Sequence, residues 1–266
     1  MARFVAVGEV MLDIAAEKLV PGGIVHAPIR VRSGGSSVTA AVAAAAEGVE
    51  AAVVGRVGDD LAGRAVREAL VAAGVEPLLQ VDPELPTGTF FEAGAGTIVA
   101  DRGANARLEI GPLEADAVLV SGYFLFQSDG DPLAGIDAEW LAVDAGSSRL
   151  VRLEPTARAN ALFVNDDELR ALGGDVSALC KRFRLVCVKH GAAGATAYLE
   201  GAAEERRPPE RAPVEQAGAG DAFAGVLLAS LLLRRGLGDA LERACAAGAR
   251  AAAGNLVHDP LVGPQR

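Results

Sequence analysis

Cysteine is scarce in this chain, which contains only Cys180, Cys187 and Cys245. These residues lack the close spacing of a metal-ligand motif, and an odd number of cysteines cannot pair completely within one chain. The sequence therefore argues against a disulfide-stabilised secreted domain and a cysteine-ligated metal centre. We expect a protein of the reducing cytoplasm.

Long apolar runs are also missing. Apolar stretches such as residues 38–46 and 226–233 are far shorter than the roughly 18 to 20 residues that cross a bilayer. The apolar run within residues 1–8 is too short for a signal peptide and has no small-residue cleavage site after it. We therefore expect a soluble protein without a membrane partner.

Positive charge is in short supply. Lysine and arginine number 25 against 35 aspartates and glutamates, which gives a formal net charge of −10. Such a field repels phosphate backbones, so we expect no nucleic-acid partner. The 266 residues are 51% hydrophobic and 23% charged, which is the composition of a globular protein with a sizeable core.

Short apolar segments, most of them ending at glycine or a polar residue, alternate along the chain with helical patterns. Continuous apolar runs suit strands that are buried on both faces, and this alternation is typical of βαβ units. We predict an α/β fold with a central, mostly parallel sheet and helices on both faces. The predicted strands are residues 4–7, 52–55, 117–122, 140–144, 161–165 and 185–188, and the predicted helices include residues 37–47, 60–73, 166–172 and 221–235.

Two segments depart from this pattern. Apolar and polar residues alternate over residues 25–32, which is typical of a half-buried strand outside the main sheet. Residues 87–100 are rich in threonine, phenylalanine and valine, with interspersed glycines. The two segments could form a small β lid over the carboxyl edge of the sheet, where open α/β folds bind ligands. The alternative is a pair of surface hairpins.

The most informative motif is Gly218-Ala219-Gly220-Asp221, which precedes an apolar helical run. Glycines before a helix allow backbone N–H groups to converge on an anion, and the helix dipole adds partial positive charge. The segment thus predicts a phosphate site with a carboxylate beside it. The alternative is an ordinary helix start that Asp221 caps.

Further motifs occur in a fixed order around this one. They are GEVMLD at residues 8–13, the glycine pair 34–35 before a small-residue helix, GRVGDDLAG at 55–63, NDDE at 165–168, HGAAG at 190–194 and GAGDAF at 218–223. This order resembles the ribokinase, or PfkB, family of ATP-dependent carbohydrate kinases. The resemblance implies a three-layer α/β fold with a small β lid, ATP and Mg²⁺ as cofactors, and phosphoryl transfer to a sugar hydroxyl.

The resemblance assigns the chemistry to the GAGD segment. Asp221 matches the family's catalytic base, and the backbone of Gly218, Ala219 and Gly220 matches its anion hole. Phosphoryl transfer depends on positioning and charge stabilisation, so a carboxylate beside a ring of N–H donors suits this role. Glu215 and Gln216 stand where the family usually has Asp-Thr.

The resemblance also implies a sugar pocket. Asp13 matches a ligand of the sugar hydroxyls, and Gly34 and Gly35 match a pair that lets the substrate approach the backbone. Without the family, Asp13 also fits a strand-end residue that faces solvent or caps a turn. Thr39 stands where the family usually has an asparagine that contacts the sugar, so we expect a different hydroxyl pattern to be recognised.

Arg102 and Asn105 follow the second lid segment and complete the expected substrate-binding set. Arg102 there could meet an anionic group of the substrate, which would favour an acid sugar such as 2-keto-3-deoxygluconate. A solvated loop arginine fits the sequence equally well.

The resemblance implies an ATP site near the second half of the sheet. Asn165 and Glu168 match an N-x-x-E element that holds Mg²⁺ mostly through water, although the same spacing is that of a capping box. The nucleotide would lie beside Lys189, His190, Gly191, Gly194 and Asn255, with His258 near the adenine. Lys189 replaces the family's common threonine, and its ammonium could meet a phosphate as a point charge.

We expect one kinase domain over residues 1–266, with lid segments at about 14–33 and 87–104, and a homodimer in which the lids meet. The partners would be a small sugar and ATP. Two other functions fit the sequence: a kinase-like protein that binds sugar or nucleotide without turnover, and a nucleoside kinase. A Rossmann dehydrogenase fits less well, because no G-x-G-x-x-G follows the first strand.

Overall fold

The computed structural model describes residues 1–20, 22–93, 97–208 and 218–254 and contains two β-sheets. Helices pack on both faces of the larger sheet, as the alternation of strands and helices predicts. In the described part of the chain, no helix is long and apolar enough to cross a membrane.

The larger sheet is central and mostly parallel. The strands of the chain are β1 (Arg3–Val7), β2 (Met11–Ala16), β3 (Ile29–Gly34), β4 (Glu50–Gly58), β5 (Val75–Asp82), β6 (Gly88–Ala93), β7 (Thr97–Asp101), β8 (Leu113–Ser121), β9 (Ile136–Asp144), β10 (Ala161–Asn165), β11 (Leu185–Lys189), β12 (Ala195–Leu199) and β13 (Ala202–Arg206). The central order is β13-β12-β11-β10-β9-β8-β1-β4-β5, in which the pairs β11–β12 and β12–β13 are antiparallel and all other neighbours pair parallel. The carboxyl ends of the parallel strands therefore meet at one edge.

The helices cover two separate apolar cores. They are α1 (Ser36–Ala45), α2 (Leu61–Ala72), α3 (Gly122–Leu125), α4 (Asp166–Ala171), α5 (Val176–Arg182), α6 (Ala219–Leu232) and α7 (Leu237–Ala252). Phe4 and Ala6 of β1 pack in the core that contains residues of α1, α2, α6 and α7. Val5 and Val7 point to the opposite face and pack with residues of α3, α4 and α5. Because both faces are covered, these strands are apolar at successive positions.

The smaller sheet, which we call the lid, has the order β3-β2-β6-β7. The pairs β2–β3 and β6–β7 are antiparallel, and the parallel pair β2–β6 joins them into one sheet rather than two separate hairpins. Strand β3 begins at Ile29, four residues later than the start predicted at residue 25, and β2 beside it was not predicted.

The two faces of the lid differ in their side chains. The register aligns Asp13 with Arg32 and Phe90 on the face that lines a cavity. Since neighbours across a sheet share a face, Val31 and Val99 lie on the opposite face. Val31 and Val99 are 39% and 61% exposed, so the apolar side of β3 points outward rather than into the molecule.

Candidate active site

A cavity of ≈ 480 Å³ lies between the lid and the carboxyl edge of the central sheet. This is the edge at which open α/β sheets bind ligands, next to the point where the strand order reverses around β1. The predicted site residues that line the cavity are Asp13, Gly35, Thr39, Arg102, Asn165, Glu168, Lys189, Gly218, Gly220 and Asp221.

Helix α6 presents its N-terminus to this cavity. Gly218 is its N-cap in a left-handed conformation (φ 94°), and among the described residues no side chain makes a capping hydrogen bond there. The first backbone N–H groups of α6 have no acceptor within the helix, and the helix dipole adds partial positive charge around them. Asp221 lies in the first turn and is not the cap, so that alternative is wrong. The geometry favours an anion beside the Asp221 carboxylate.

The environment of Asp221 alters its titration. Burial raises the pKa of Asp221 to about 7; the carboxylate of Asp144 adds to the rise, and the ammonium of Lys189 opposes it. The carboxylates of Glu9 and Asp13 raise the pKa further. A group with a pKa near neutrality can accept a proton in one step and release it in the next.

Lys189 and Asp144 form an ion pair in the wall of the cavity. The Nζ atom of Lys189 lies 2.7 Å from Oδ1 and 2.8 Å from Oδ2 of Asp144. The same Nζ lies 3.1 Å from the position that a Cβ on Gly220 would occupy, so the ammonium adjoins the start of α6. Burial lowers the pKa of Lys189, but Asp144 and Glu168 outweigh it and hold the pKa above its usual value.

Asp144 is a site residue that the sequence analysis did not assign. It ends β9, and Lys189 ends β11, with β10 between them. The available signal was its position as the polar end of a predicted parallel strand, the same feature that marks Asn165.

Asp13 occupies the lid side of the cavity. It is 9% exposed, and Nε of Arg32 lies 3.6 Å from its Oδ2, so the alternative of a solvent-facing carboxylate is wrong. Gly34 lies directly against it, because a Cβ at that position would overlap the carboxyl group of Asp13. Gly35 has φ 93° and lies against the carbonyl of Glu9, which a Cβ would likewise overlap. Both glycines are thus required by close approach.

Glu9 is a second cavity residue that the sequence analysis did not assign. It is 5% exposed, and its Oε2 accepts hydrogen bonds from the hydroxyls of Ser121 (2.7 Å) and Ser36 (3.2 Å). Its Oε1 lies 3.6 Å from Nη2 of Arg102. Burial raises the pKa of Glu9, and these hydroxyls and Arg102 oppose the rise.

Asn165 and Glu168 form the predicted capping box at the start of α4. The Glu168 amide donates to Oδ1 of Asn165 (2.9 Å), and the Asn165 amide donates to Oε2 of Glu168 (2.8 Å). Both residues also line the cavity, and burial raises the pKa of Glu168. No cluster of three or more side chains in the described ranges could by itself hold a metal ion. The oxygen donors of this pair fit Mg²⁺ held mainly by water and phosphates.

A profile described as pfkB family carbohydrate kinase matches residues 1–255. The chain belongs to the pfkB family. A 2-dehydro-3-deoxygluconokinase of Thermoproteus tenax is 31% identical over 151 residues, which cover 54% of this chain and 46% of that protein. The alignment therefore spans about half the length of this pfkB relative.

Solved structures share the pfkB fold over nearly the whole chain. A PfkB protein from Polaromonas sp. JS666 is 23% identical, with a TM-score of 0.75 and coverage of 96% of this chain and 97% of that one. Arabidopsis thaliana ribokinase, solved with ribose and ATP, is 21% identical, with a TM-score of 0.73 and coverage of 97% and 100%. At these identities the likeness establishes the three-layer fold with its lid.

Other residues that the pfkB resemblance implied lie outside the cavity wall. The His190 ring is hydrogen-bonded between Asp166 Oδ1 (2.8 Å) and Thr196 Oγ1 (3.1 Å). Gly191 (φ 56°) and Gly194 (φ 105°) shape the turn after β11. These three residues do not line the cavity, and their predicted place beside the nucleotide phosphates stays a prediction. Asn255, His258, Glu215 and Gln216 lie outside the described residues.

Asn105 and Thr39 have structural contacts as well. The Asn105 side chain accepts a hydrogen bond from the amide of Val10 (2.9 Å) and donates to the carbonyls of Val10 and Arg102 (both 2.9 Å). It is buried and fixes the base of the lid instead of lining the cavity, contrary to its expected position. Thr39 does line the cavity, and its methyl group adjoins Gly218.

Gly34→Ala tests the prediction that Asp13 binds the hydroxyl groups of the sugar. The added methyl overlaps the Asp13 carboxyl and must displace it. Since a displacement of about 1 Å in a positioning group can cost about a hundredfold, we expect the KM for sugar to rise at least about tenfold, with little change in the KM for ATP. Steady-state kinetics with each substrate varied in turn tests this. Gly111→Ala is the control, because no atom lies within 4 Å of its added Cβ; equal KM values in both variants would contradict the prediction.

Proposed function

We propose that this protein transfers the terminal phosphoryl group of ATP to a hydroxyl group of a sugar or sugar derivative. One observation carries the proposal: the Asp221 carboxylate, the open N-terminus of α6 and the Lys189 ammonium border the same cavity as the buried Asp13. A proton acceptor, an anion site, a cation and a hydroxyl ligand are the parts that phosphoryl transfer to an alcohol requires. Membership of the pfkB family supports this activity.

The proposed mechanism begins with the sugar beneath the lid. Asp13 accepts hydrogen bonds from sugar hydroxyls and directs another hydroxyl toward Asp221. The oxygen of that sugar hydroxyl bonds to the terminal phosphorus of ATP, and Asp221 accepts the hydroxyl proton. The bond between the terminal phosphorus and the oxygen that bridges it to ADP breaks in the same step. The N–H groups of the first turn of α6 and the ammonium of Lys189 stabilise the charge on the transferred group. ADP and the phosphorylated sugar are the products.

Mg²⁺ would be held at the nucleotide by Glu168 and Asn165, mainly through water. When bound, the ion would neutralise charge on the ATP phosphates. An E. coli protein provisionally called ribokinase II, solved with ATP and Mg²⁺, has a TM-score of 0.78 at 20% identity and supports this expectation. The raised pKa of Glu168 would return toward its ordinary value once a cation lies beside it.

The first test is ADP release with ATP and Mg²⁺ over a panel of ribose, fructose, 2-keto-3-deoxygluconate, tagatose 6-phosphate, fructose 1-phosphate and adenosine. Turnover of one compound that is lost in Asp221→Asn supports the kinase and names its substrate. Adenosine as the sole substrate would favour the nucleoside kinase. Binding of ATP and sugar without turnover of any compound would favour the non-catalytic binding protein.

We also propose one kinase domain that acts on small molecules in the cytoplasm, not on nucleic acid, on the basis of its charge and cysteine content.

We further propose a homodimer in which the outer faces of two lids meet. This face exposes Ile29 (63%) and Val31 (39%) on one edge strand and Val99 (61%) on the other, and the partly exposed Ile14 and Phe91 lie between them. A contiguous exposed patch of this kind is typical of a protein interface. It also explains why the apolar side of β3 faces outward.

Val99→Asp is expected to convert the dimer to a monomer, because it places a charge within the apolar contact. Light scattering coupled to gel filtration at micromolar concentration measures the mass. Val71→Asp is the control, since Val71 is 60% exposed on α2 and lies outside the lid. A monomeric wild-type protein at this concentration would contradict the proposal.

A further inference from the structure

Two charged side chains meet where the lid joins the central sheet. Glu9 lies between β1 and β2, and Arg102 directly follows β7. Both line the cavity, and Nη2 of Arg102 lies 3.6 Å from Oε1 of Glu9, which is beyond hydrogen-bond distance. Nη1 of Arg102 donates to Oε1 of Gln127 at 3.3 Å. Arg102 is therefore not a free cation that awaits an anionic substrate.

Each member of this pair retains one unused polar atom. Oε1 of Glu9 and Nε of Arg102 are buried and have no hydrogen-bond partner among the described residues. Glu9 is 5% exposed, and its other oxygen is already bound by Ser36 and Ser121. Buried polar groups without partners are rare and unfavourable, and at a binding cavity they indicate where ligand atoms complete the network.

The chemistry of the two atoms restricts the ligand group that can satisfy both. Oε1 of ionised Glu9 only accepts, and Nε of Arg102 only donates. A hydroxyl group does both, so one hydroxyl can donate to Glu9 and accept from Arg102. A carboxylate only accepts; it would bind Arg102 and face the Glu9 carboxylate at short range.

We propose that Glu9 and Arg102 together recognise a hydroxyl group of the sugar and select against a carboxylate at that position. This inference rests on the proposed kinase function and narrows its substrate class to sugars that carry a hydroxyl group rather than a carboxylate at that position. In this proposal the Glu9 carboxylate neutralises the charge of Arg102, so Arg102 no longer favours a ligand with a carboxylate.

A matched pair of ligands tests the proposal. D-fructose and 2-keto-D-gluconate share their carbon chain and stereochemistry, and they differ in carrying a hydroxymethyl or a carboxylate at one end. Calorimetry on the intact protein gives the Kd for each ligand, and ADP release gives kcat/KM for each. We expect wild type to prefer fructose and Glu9→Gln to shift the ratio toward the acid by at least about tenfold, because the variant leaves the Arg102 charge uncompensated.

Two further variants separate recognition from a general loss of structure. Glu9→Asp keeps the charge and should keep the preference for fructose, even where both affinities fall. Glu114→Gln makes the same charge change at an exposed position on β8 and should leave the ratio unchanged.

The proposal is overturned if wild type binds 2-keto-D-gluconate as tightly as fructose, or if Glu9→Gln leaves the ratio unaltered while its melting temperature stays near that of wild type. Failure of the kinase function has a different signature. In that case no compound of the panel yields ADP. The Kd values for fructose and 2-keto-D-gluconate do not depend on turnover, so their ratio still tests the role of Glu9.

Discussion

Asp221→Asn is expected to lower kcat by about 10²- to 10⁴-fold, the usual contribution of a general base. The amide keeps the size of the carboxylate but cannot accept the hydroxyl proton. The KM values for ATP and sugar should change little, because the N–H groups of α6, Lys189 and Asp13 remain in place. Initial rates of ADP release, with each substrate varied in turn, measure both quantities.

Asp239→Asn is the matched control. Asp239 stands at the third position of α7, as Asp221 does in α6, but its side chain is 58% exposed. This control should retain wild-type turnover. A near-normal kcat for Asp221→Asn would exclude Asp221 as the base and direct attention to the other buried carboxylates of the cavity.

The folding stability of Asp221→Asn provides a second readout. Folding raises the pKa of Asp221 from its ordinary value of 3.8 to about 7. Because the pKa of Asp221 is higher in the folded state, the protonated carboxyl group favours folding at low pH. This contribution to the free energy of unfolding is lost as the pH rises through about 7. Above that pH the variant should melt no lower than wild type. A lost activity with an unchanged or raised melting temperature then indicates lost chemistry rather than a lost fold.

Lys189→Met and Asp144→Asn are expected to shift the pH profile of kcat/KM in opposite directions. In wild type the acid limb should have its midpoint near 7, the pKa of Asp221. Lys189 lowers that pKa, so its removal should move the limb to higher pH. Asp144 raises that pKa, so its removal should move the limb to lower pH. A purely structural role of either residue predicts no shift.

The two variants should also differ in turnover. Lys189→Met removes a cation beside the start of α6, so we expect kcat to fall about a hundredfold, as for the loss of one donor to a developing charge. Asp144→Asn keeps the cation but loosens its position, and a loss of about tenfold is expected. Lys181→Met, at an exposed position on α5, is the control. If the acid limbs of Lys189→Met and Asp144→Asn moved in the same direction, or did not move, this electrostatic account would be contradicted.

Local sequence patterns were sufficient for much of the fold. The parallel strands were predicted because residues buried on both faces must be apolar at successive positions, as in β1 and β10. The capping box at Asn165 was predicted because its hydrogen bonds join residues three apart. Strand β2 was missed because its apolar residues are interrupted by Asp13, whose burial depends on Gly34 in another strand.

The candidate site was predicted only in part, because some of its contacts join residues that are far apart in the chain. Gly218, Gly220 and Asp221 are contiguous, so their motif was visible. Asp144 and Lys189 are 45 residues apart and meet only because the sheet places β9 and β11 on either side of β10. Glu9 and Arg102 meet only because the chain enters the lid twice: Glu9 precedes the first lid strand, β2, and Arg102 follows the last, β7.

The sequence by itself determined the α/β class and the order of the family's motifs, and it predicted an anion site at the start of α6, because each motif consists of residues that are neighbours in the chain. Only the tertiary structure decided which charges face one another in the cavity. Burial and distant charges raise the pKa of Asp221 to about 7. Contacts between distant segments also pair Lys189 with Asp144 and Arg102 with Glu9. Those long-range contacts have no local pattern, since the sheet order and the path of the lid create them.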